Sequence, residues 1–81
     1  MNTEKAFAAG HDAGIEAIEK LAEQFDGKHS DQTYKSFAGL LTVIMHCVYF
    51  QAPSEGAAEE LITIAQAWAK ENARKEKGEN S

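Results

Sequence analysis

Five acidic residues recur along one face of a predicted helix, and they are the first candidates for chemistry. They follow one another at steps of four and three residues: Asp12, Glu16, Glu19, Glu23 and Asp26. A helix turns once in about 3.6 residues, so this spacing aligns the carboxylates in what we call the acidic ridge. A ridge of one charge attracts basic partners and repels acidic ones, so we expect it to bind another protein with a basic surface. A solvated helix face without a binding role is the alternative.

Within the ridge, Glu16 and Glu19 stand one turn apart, and such a pair can hold magnesium against the phosphates of a substrate. The Glu-x-x-Glu pattern resembles the first acidic pair of the all-α nucleotide pyrophosphohydrolases, which carry a Glu-x-x-Asp pair on a later helix. Here Glu23-Gln24-Phe25-Asp26 continues the same predicted helix, and Glu59 and Glu60 are adjacent. Neither pair can therefore supply the second acidic pair on a later helix, and we expect no enzymatic activity. A magnesium-dependent nucleotide pyrophosphohydrolase-like enzyme is kept as an alternative.

The remaining reactive side chains do not form a recognisable site. A metal centre needs three or four convergent ligands, whereas His11, His29 and His46 are far apart in the sequence. His46 and Cys47 are neighbours, but successive helix residues point about 100° apart. Cys47 also lies among apolar residues, where a thiol behaves as a small hydrophobe. We therefore expect no catalytic residues, no metal site and no cofactor.

Apolar spacing places the ridge on the first of three predicted helices, residues 4–26, 31–51 and 55–76. Gly27 is suited to end the first helix, and Ser30 or Asp31 to begin the second. Pro53 stops the second helix, and Ser54 can cap the third. The apolar face of the first helix is Phe7, His11, Gly14, Ile18, Leu21 and Phe25.

The second predicted helix is apolar around much of its circumference, so we expect it to be the central and most buried element. Its first seam should face a neighbouring helix and consists of Tyr34, Phe37, Leu41, Ile44 and Val48. Its second seam consists of Leu40, Val43, Cys47 and Phe50. A lone three-helix bundle leaves the outside of each helix in water, so we expect the second seam to form a homodimer interface.

The third predicted helix is amphipathic, with Ala58, Leu61, Ala65, Trp68 and Asn72 on its inner face. Short turns between long helices favour antiparallel neighbours. The sequence therefore predicts an all-α fold, an antiparallel three-helix up-down-up arrangement that homodimerisation completes. We expect one helical domain over residues 1–77 and a disordered tail over residues 78–81.

Composition and charge disfavour two classes of function, nucleic-acid binding and membrane insertion. The chain has 81 residues and a net charge of −5, with 13 acidic and 8 basic residues. This balance disfavours direct nucleic-acid binding and leaves a nucleic-acid mimic as a further alternative. No apolar stretch reaches the roughly 20 residues that span a bilayer, and the first residues lack a secretory pattern, so we expect a cytoplasmic protein without membrane contact.

These features favour a small acidic helical protein–protein interaction module. Compact helical proteins without cofactors often serve as regulators or inhibitors, such as phage or mobile-element proteins that act on a host protein. We expect the acidic ridge to bind the partner, together with Tyr49 and Phe50 near the end of the second helix. Aromatic side chains in such places commonly anchor interfaces.

Overall fold

A computed structural model describes residues 3–78 of the chain, and they form three α-helices. The helices are α1 (Thr3–Gln24), α2 (Asp31–Gln51) and α3 (Glu55–Glu76). None of the described residues lies in a β-strand, so the all-α prediction is confirmed. The bounds of α2 and α3 agree with the prediction, whereas α1 begins one residue earlier and ends two residues earlier. Except for Gly78, the predicted tail lies outside the described residues.

The end of α1 is set by two residues in left-handed conformations. Asp26 has a φ of 65° and Gly27 a φ of 109°. The Gly27 N–H donates to the Ala22 carbonyl at 2.7 Å, which closes the last turn of the helix in the pattern of a Schellman motif. The left-handed turn therefore begins at Asp26, one residue before the predicted terminator. This is why α1 stops at Gln24.

Two hydroxyl side chains, those of Ser30 and Thr33, fix the start of α2. The Thr33 N–H donates to Ser30 Oγ at 3.1 Å, so Ser30 is the N-cap. Thr33 is fully buried, and its hydroxyl donates to the Gly27 carbonyl at 2.8 Å. The two hydroxyl oxygens, Ser30 Oγ and Thr33 Oγ1, lie 2.8 Å apart. The same residues thus start α2 and tie it to the turn that follows α1.

The start of α3 follows the predicted pattern. Ser54 has an extended backbone, and its Oγ accepts from the Ala57 N–H at 3.1 Å. Pro53 precedes this cap and has no amide hydrogen to extend α2. At the other end, the Lys77 N–H donates to the Ala73 carbonyl at 3.1 Å, and Gly78 takes a positive φ of 77°. Local capping chemistry therefore accounts for both ends of α3.

The chain divides into two compact units, and the boundary lies between Thr42 and Val43 in the middle of α2. In the first unit Ala22 and Thr33 are buried. Its partly buried helix residues are Gly14, Ala17, Ile18, Leu21, Ser36, Phe37 and Leu40. In the second unit Ala58 is buried, and Val48, Ala52, Ala57 and Ile62 are partly buried. The up-down-up order of the helices stays a prediction.

α2 is not deeply buried in the single chain. Among the described residues α1 and α2 each have one buried and four partly buried residues, and α3 has one and two. Thr33 is the buried residue of α2, while Tyr34, Leu41 and Ile44 of the first seam are exposed. Helical spacing tells which side chains share a face, but it does not tell whether another element covers that face. Part of the first seam is therefore exposed because burial depends on contacts from outside the helix.

Candidate interaction surfaces

The acidic ridge is exposed along its length, but it is not one continuous helix face. Asp12, Glu16, Glu19 and Glu23 lie on α1, and all four are exposed. Asp26 is also exposed, but it lies beyond the end of α1 in the left-handed turn. Among residues 3–78, none of the five carboxylates has a Lys, Arg or His nitrogen within 4 Å. The ridge therefore presents its charge to solvent.

The structure brings three ridge residues together at the C-terminal end of α1. Glu19, Glu23 and Asp26 line an open groove of about 560 Å³, which Lys28 also lines. The turn at Asp26 thus places its carboxylate beside the same groove as the two glutamates. Asp12 and Glu16 do not line it. A partner that recognises the ridge through this groove would meet three carboxylates and one cation.

The described histidines and the cysteine are surface residues. His11 stacks on Phe7, with ring centroids 6.2 Å apart and an interplanar angle of 26°. His29, His46 and Cys47 are exposed. Across the described residues, no three His, Cys, Asp or Glu side chains form a group that could hold a metal ion.

The second seam of α2 is mostly exposed. Phe50 is 82% exposed and Val43 is 63% exposed, and Cys47 is also exposed. Leu40, the fourth residue of the seam, is partly buried and lies in the first unit. The exposed part of the seam is therefore Val43, Cys47 and Phe50, all in the second unit. Tyr49, the other predicted partner anchor, is exposed as well.

A second apolar surface lies on α3, where the sequence predicted an inner face. Leu61 is 56% exposed, Trp68 is 52% exposed and Ile64 is 46% exposed. Ala65 lies between them on the same face and is exposed too. We call Leu61, Ile64, Ala65 and Trp68 the α3 stripe. Of the predicted inner face only Ala58, near the start of α3, is buried.

The sequence predicted that Leu61, Ala65 and Trp68 of the α3 stripe share a helix face, but it did not predict that this face is exposed. Their spacing of three and four residues is the same signal that marks a core-facing helix. A core face and a docking face have the same periodicity, so this signal could not separate the two. In the single chain Leu61, Ile64 and Trp68 are about half exposed, so this face is not a buried core face there.

Within residues 3–78, no helix combines the length and the hydropathy needed to cross a membrane. Comparison of the chain with models of known protein families, with curated proteins and with solved structures found no match. A proposal about function therefore depends on the chemistry of three surfaces, which are the acidic ridge, the second seam and the α3 stripe.

Proposed function

We propose that this chain is a protein–protein interaction module that self-associates into a homodimer and regulates or inhibits another protein. One observation carries the proposal: large apolar side chains lie exposed along α2 and α3, while Ala22, Thr33 and Ala58 are the buried residues of the described chain. Contiguous apolar patches larger than a few hundred Å² usually mark interaction sites. The chain therefore has the surface of a protein that is completed by a partner.

The energetic reason for self-association is the apolar area that a single chain leaves in water. Full burial of a large apolar side chain contributes about 1.5–3 kcal/mol, so one that is half exposed can still gain roughly 1 kcal/mol. Five such side chains belong to the second seam and the α3 stripe: Val43, Phe50, Leu61, Ile64 and Trp68. Two copies therefore have on the order of 10 kcal/mol to gain, which is comparable with the cost of association.

The acidic ridge supports a second partner with a basic surface. Its carboxylates are exposed, and Glu19, Glu23 and Asp26 converge on one groove. Charges of one sign speed the encounter with an oppositely charged surface and suppress wrong partners. The screening length is about 8 Å at physiological ionic strength, so we expect this binding to weaken as salt is added.

The first experiment tests the second seam with a matched pair of variants. Val43→Glu places a charge in the second seam, whereas Thr42→Glu places the same charge on the neighbouring exposed residue outside it. We expect sedimentation equilibrium to show a weaker dimer for Val43→Glu and an unchanged dimer for Thr42→Glu, because a buried unpaired carboxylate is costly. Equal dissociation constants for the two variants would show that the second seam is solvent-exposed in the assembled protein.

The second experiment tests the acidic ridge by affinity capture from the native host. The bait is the wild-type chain, a ridge variant (Glu16→Gln, Glu19→Gln, Glu23→Gln) or a control variant (Glu4→Gln, Glu71→Gln, Glu76→Gln). Both variants lose three negative charges, so a nonspecific charge effect changes their captures equally. We expect the wild-type bait and the control bait to capture a host protein that the ridge variant does not capture. Identical capture by both variants would contradict a binding role for the ridge.

The same preparation separates the two alternatives. A nucleic-acid mimic would capture a nucleic-acid-binding protein and release it when DNA is added, since both ligands would occupy one basic site. A nucleotide pyrophosphohydrolase would release pyrophosphate from nucleoside triphosphates in the presence of magnesium, and Glu16→Gln would abolish that release. Either result would replace the interaction module as the primary function.

A further inference from the structure

We propose that α3 pairs with α3 of a second copy in antiparallel orientation, with the α3 stripe as the contact. The inference rests on the proposed self-association and deepens it, because it names the surface, the occupant and the direction of the pairing. Three properties of α3 support it: the exposure of the stripe, the order of large and small side chains along it, and the distribution of charge from one end of the helix to the other.

The stripe is a compact apolar surface on one side of the helix. Leu61, Ile64 and Trp68 are each about half exposed, and Ala65 is also exposed. Seven residue steps separate the first and last of the four, which is about 10 Å along the helix at 1.5 Å per residue. A second helix can therefore cover the whole stripe with about two of its own turns.

The order of side-chain sizes favours antiparallel pairing. A two-fold axis that passes between Ile64 and Ala65 places Leu61 of one copy opposite Trp68 of the other. It also places Ile64 of one copy opposite Ala65 of the other, so beside the axis a large side chain meets a small one. A parallel pair would instead set Trp68 against its own copy and leave a gap between the two alanines. Close packing needs large residues to face small ones, and the antiparallel arrangement provides this.

The charges of α3 favour the same direction. Its first half contains Glu55, Glu59 and Glu60 and no Lys or Arg, a net charge of −3. Residues 66–77 contain four cations and two carboxylates, a net charge of +2: Lys70, Glu71, Arg74, Lys75, Glu76 and Lys77. An antiparallel pair sets the acidic half against the basic half, whereas a parallel pair sets like against like. Side-by-side helices lie within a screening length of each other, so this difference acts across the interface.

Engineered cysteines test the pairing and its direction. Residue 65 lies beside the proposed axis, so two copies of Ala65→Cys should come within the roughly 7 Å between Cα atoms that a disulfide allows. Asn72→Cys is the matched control, because it is also exposed and on the same side of α3. In the antiparallel pair residue 72 of one copy lies opposite residue 57 of the other. The two copies of residue 72 are then about 22 Å apart along the helix axes. Peptide mapping of each disulfide by mass spectrometry separates these products from any that involve Cys47.

We expect oxidation to cross-link Ala65→Cys and to leave Asn72→Cys unlinked. A mixture of Ala57→Cys and Asn72→Cys should form the mixed disulfide, which a parallel pair cannot form. Cross-linking of Asn72→Cys to itself would overturn the direction. A chain that has dimeric mass but no α3 cross-link would overturn this inference and leave the proposed self-association standing. A wild-type mass of one chain would overturn both.

Discussion

Replacing Thr33 with valine tests how α2 is tied to the turn after α1. Thr33 is fully buried, and its hydroxyl donates to the Gly27 carbonyl at 2.8 Å and lies 2.8 Å from Ser30 Oγ. Thr33→Val keeps the branched shape and removes the hydroxyl. The Gly27 carbonyl then loses its short donor and keeps the Ser30 N–H at 3.4 Å. The variant therefore isolates the hydroxyl from the packing of the side chain.

The size of the effect follows from this geometry. A hydrogen bond contributes about 0.5–1.5 kcal/mol net to stability. Gly27 is exposed and its carbonyl keeps the Ser30 N–H, so the variant loses this net contribution and leaves no buried group unpaired, and we expect a loss of about 1 kcal/mol. In a domain of this length each kcal/mol lowers the melting temperature by about 4–8 °C. The expected loss is thus large enough to measure in a single unfolding curve.

Thr42→Val is the matched control. Thr42 also lies on α2 and its hydroxyl donates to the Ala38 carbonyl at 2.8 Å, but the residue is exposed and water can replace the hydroxyl. We expect its free energy of unfolding to change by less than about 0.5 kcal/mol. Urea unfolding followed by circular dichroism, with all proteins at one concentration, measures both variants. Equal losses for Thr33→Val and Thr42→Val would refute the reasoning, because they would show that burial of Thr33 adds nothing.

Three further predictions concern the surface and the turn. Asp26→Gly should raise the free energy of unfolding by about 0.5 kcal/mol. Asp26 has a φ of 65°, where an L-residue pays about 1–2 kcal/mol that glycine does not, and the greater entropy that glycine loses on folding, about 0.5–1 kcal/mol, offsets part of this gain. A free energy of unfolding no higher than that of the wild type would contradict this. Changing Glu16, Glu19 and Glu23 to Gln should move stability by no more than about 0.5 kcal/mol each, and a larger loss in thermal unfolding would make the ridge structural. Gly10→Ala should stabilise α1 by about 0.5–1 kcal/mol, since a methyl group there meets no atom within 4 Å; a destabilised variant would mean that another surface packs against α1 at this position.

Local chemistry explains why most helix bounds could be predicted from the sequence. Ser54 caps the start of α3, and Ser30 caps the start of α2. Pro53 follows the end of α2 and has no amide hydrogen to extend it. All three act on backbone groups only a few residues away. Such signals do not depend on the rest of the fold. The largest difference is at the end of α1, where an aspartate takes a left-handed conformation that usually selects glycine or asparagine. Residue type alone could not place that turn.

Which faces are covered could not be predicted, because coverage is a non-local property. Leu41 and Leu61 both have core-like spacing in the sequence, and both are more than half exposed in the single chain. Leu40 was assigned to an outer seam and is partly buried. The acidic ridge was the easier surface to find, since charged residues stay in water whichever way the helices pack. That Glu19, Glu23 and Asp26 line one groove depends on the turn at Asp26, and helical spacing alone could not predict that turn.

The central claim is that a second copy covers the apolar surfaces of α2 and α3. The mass of the wild-type chain in solution tests it most directly, by light scattering coupled to size exclusion from low to high micromolar concentration. We predict a mass of two chains that falls toward one as the protein is diluted. A mass of one chain, 8.8 kDa, across the whole range would contradict the claim.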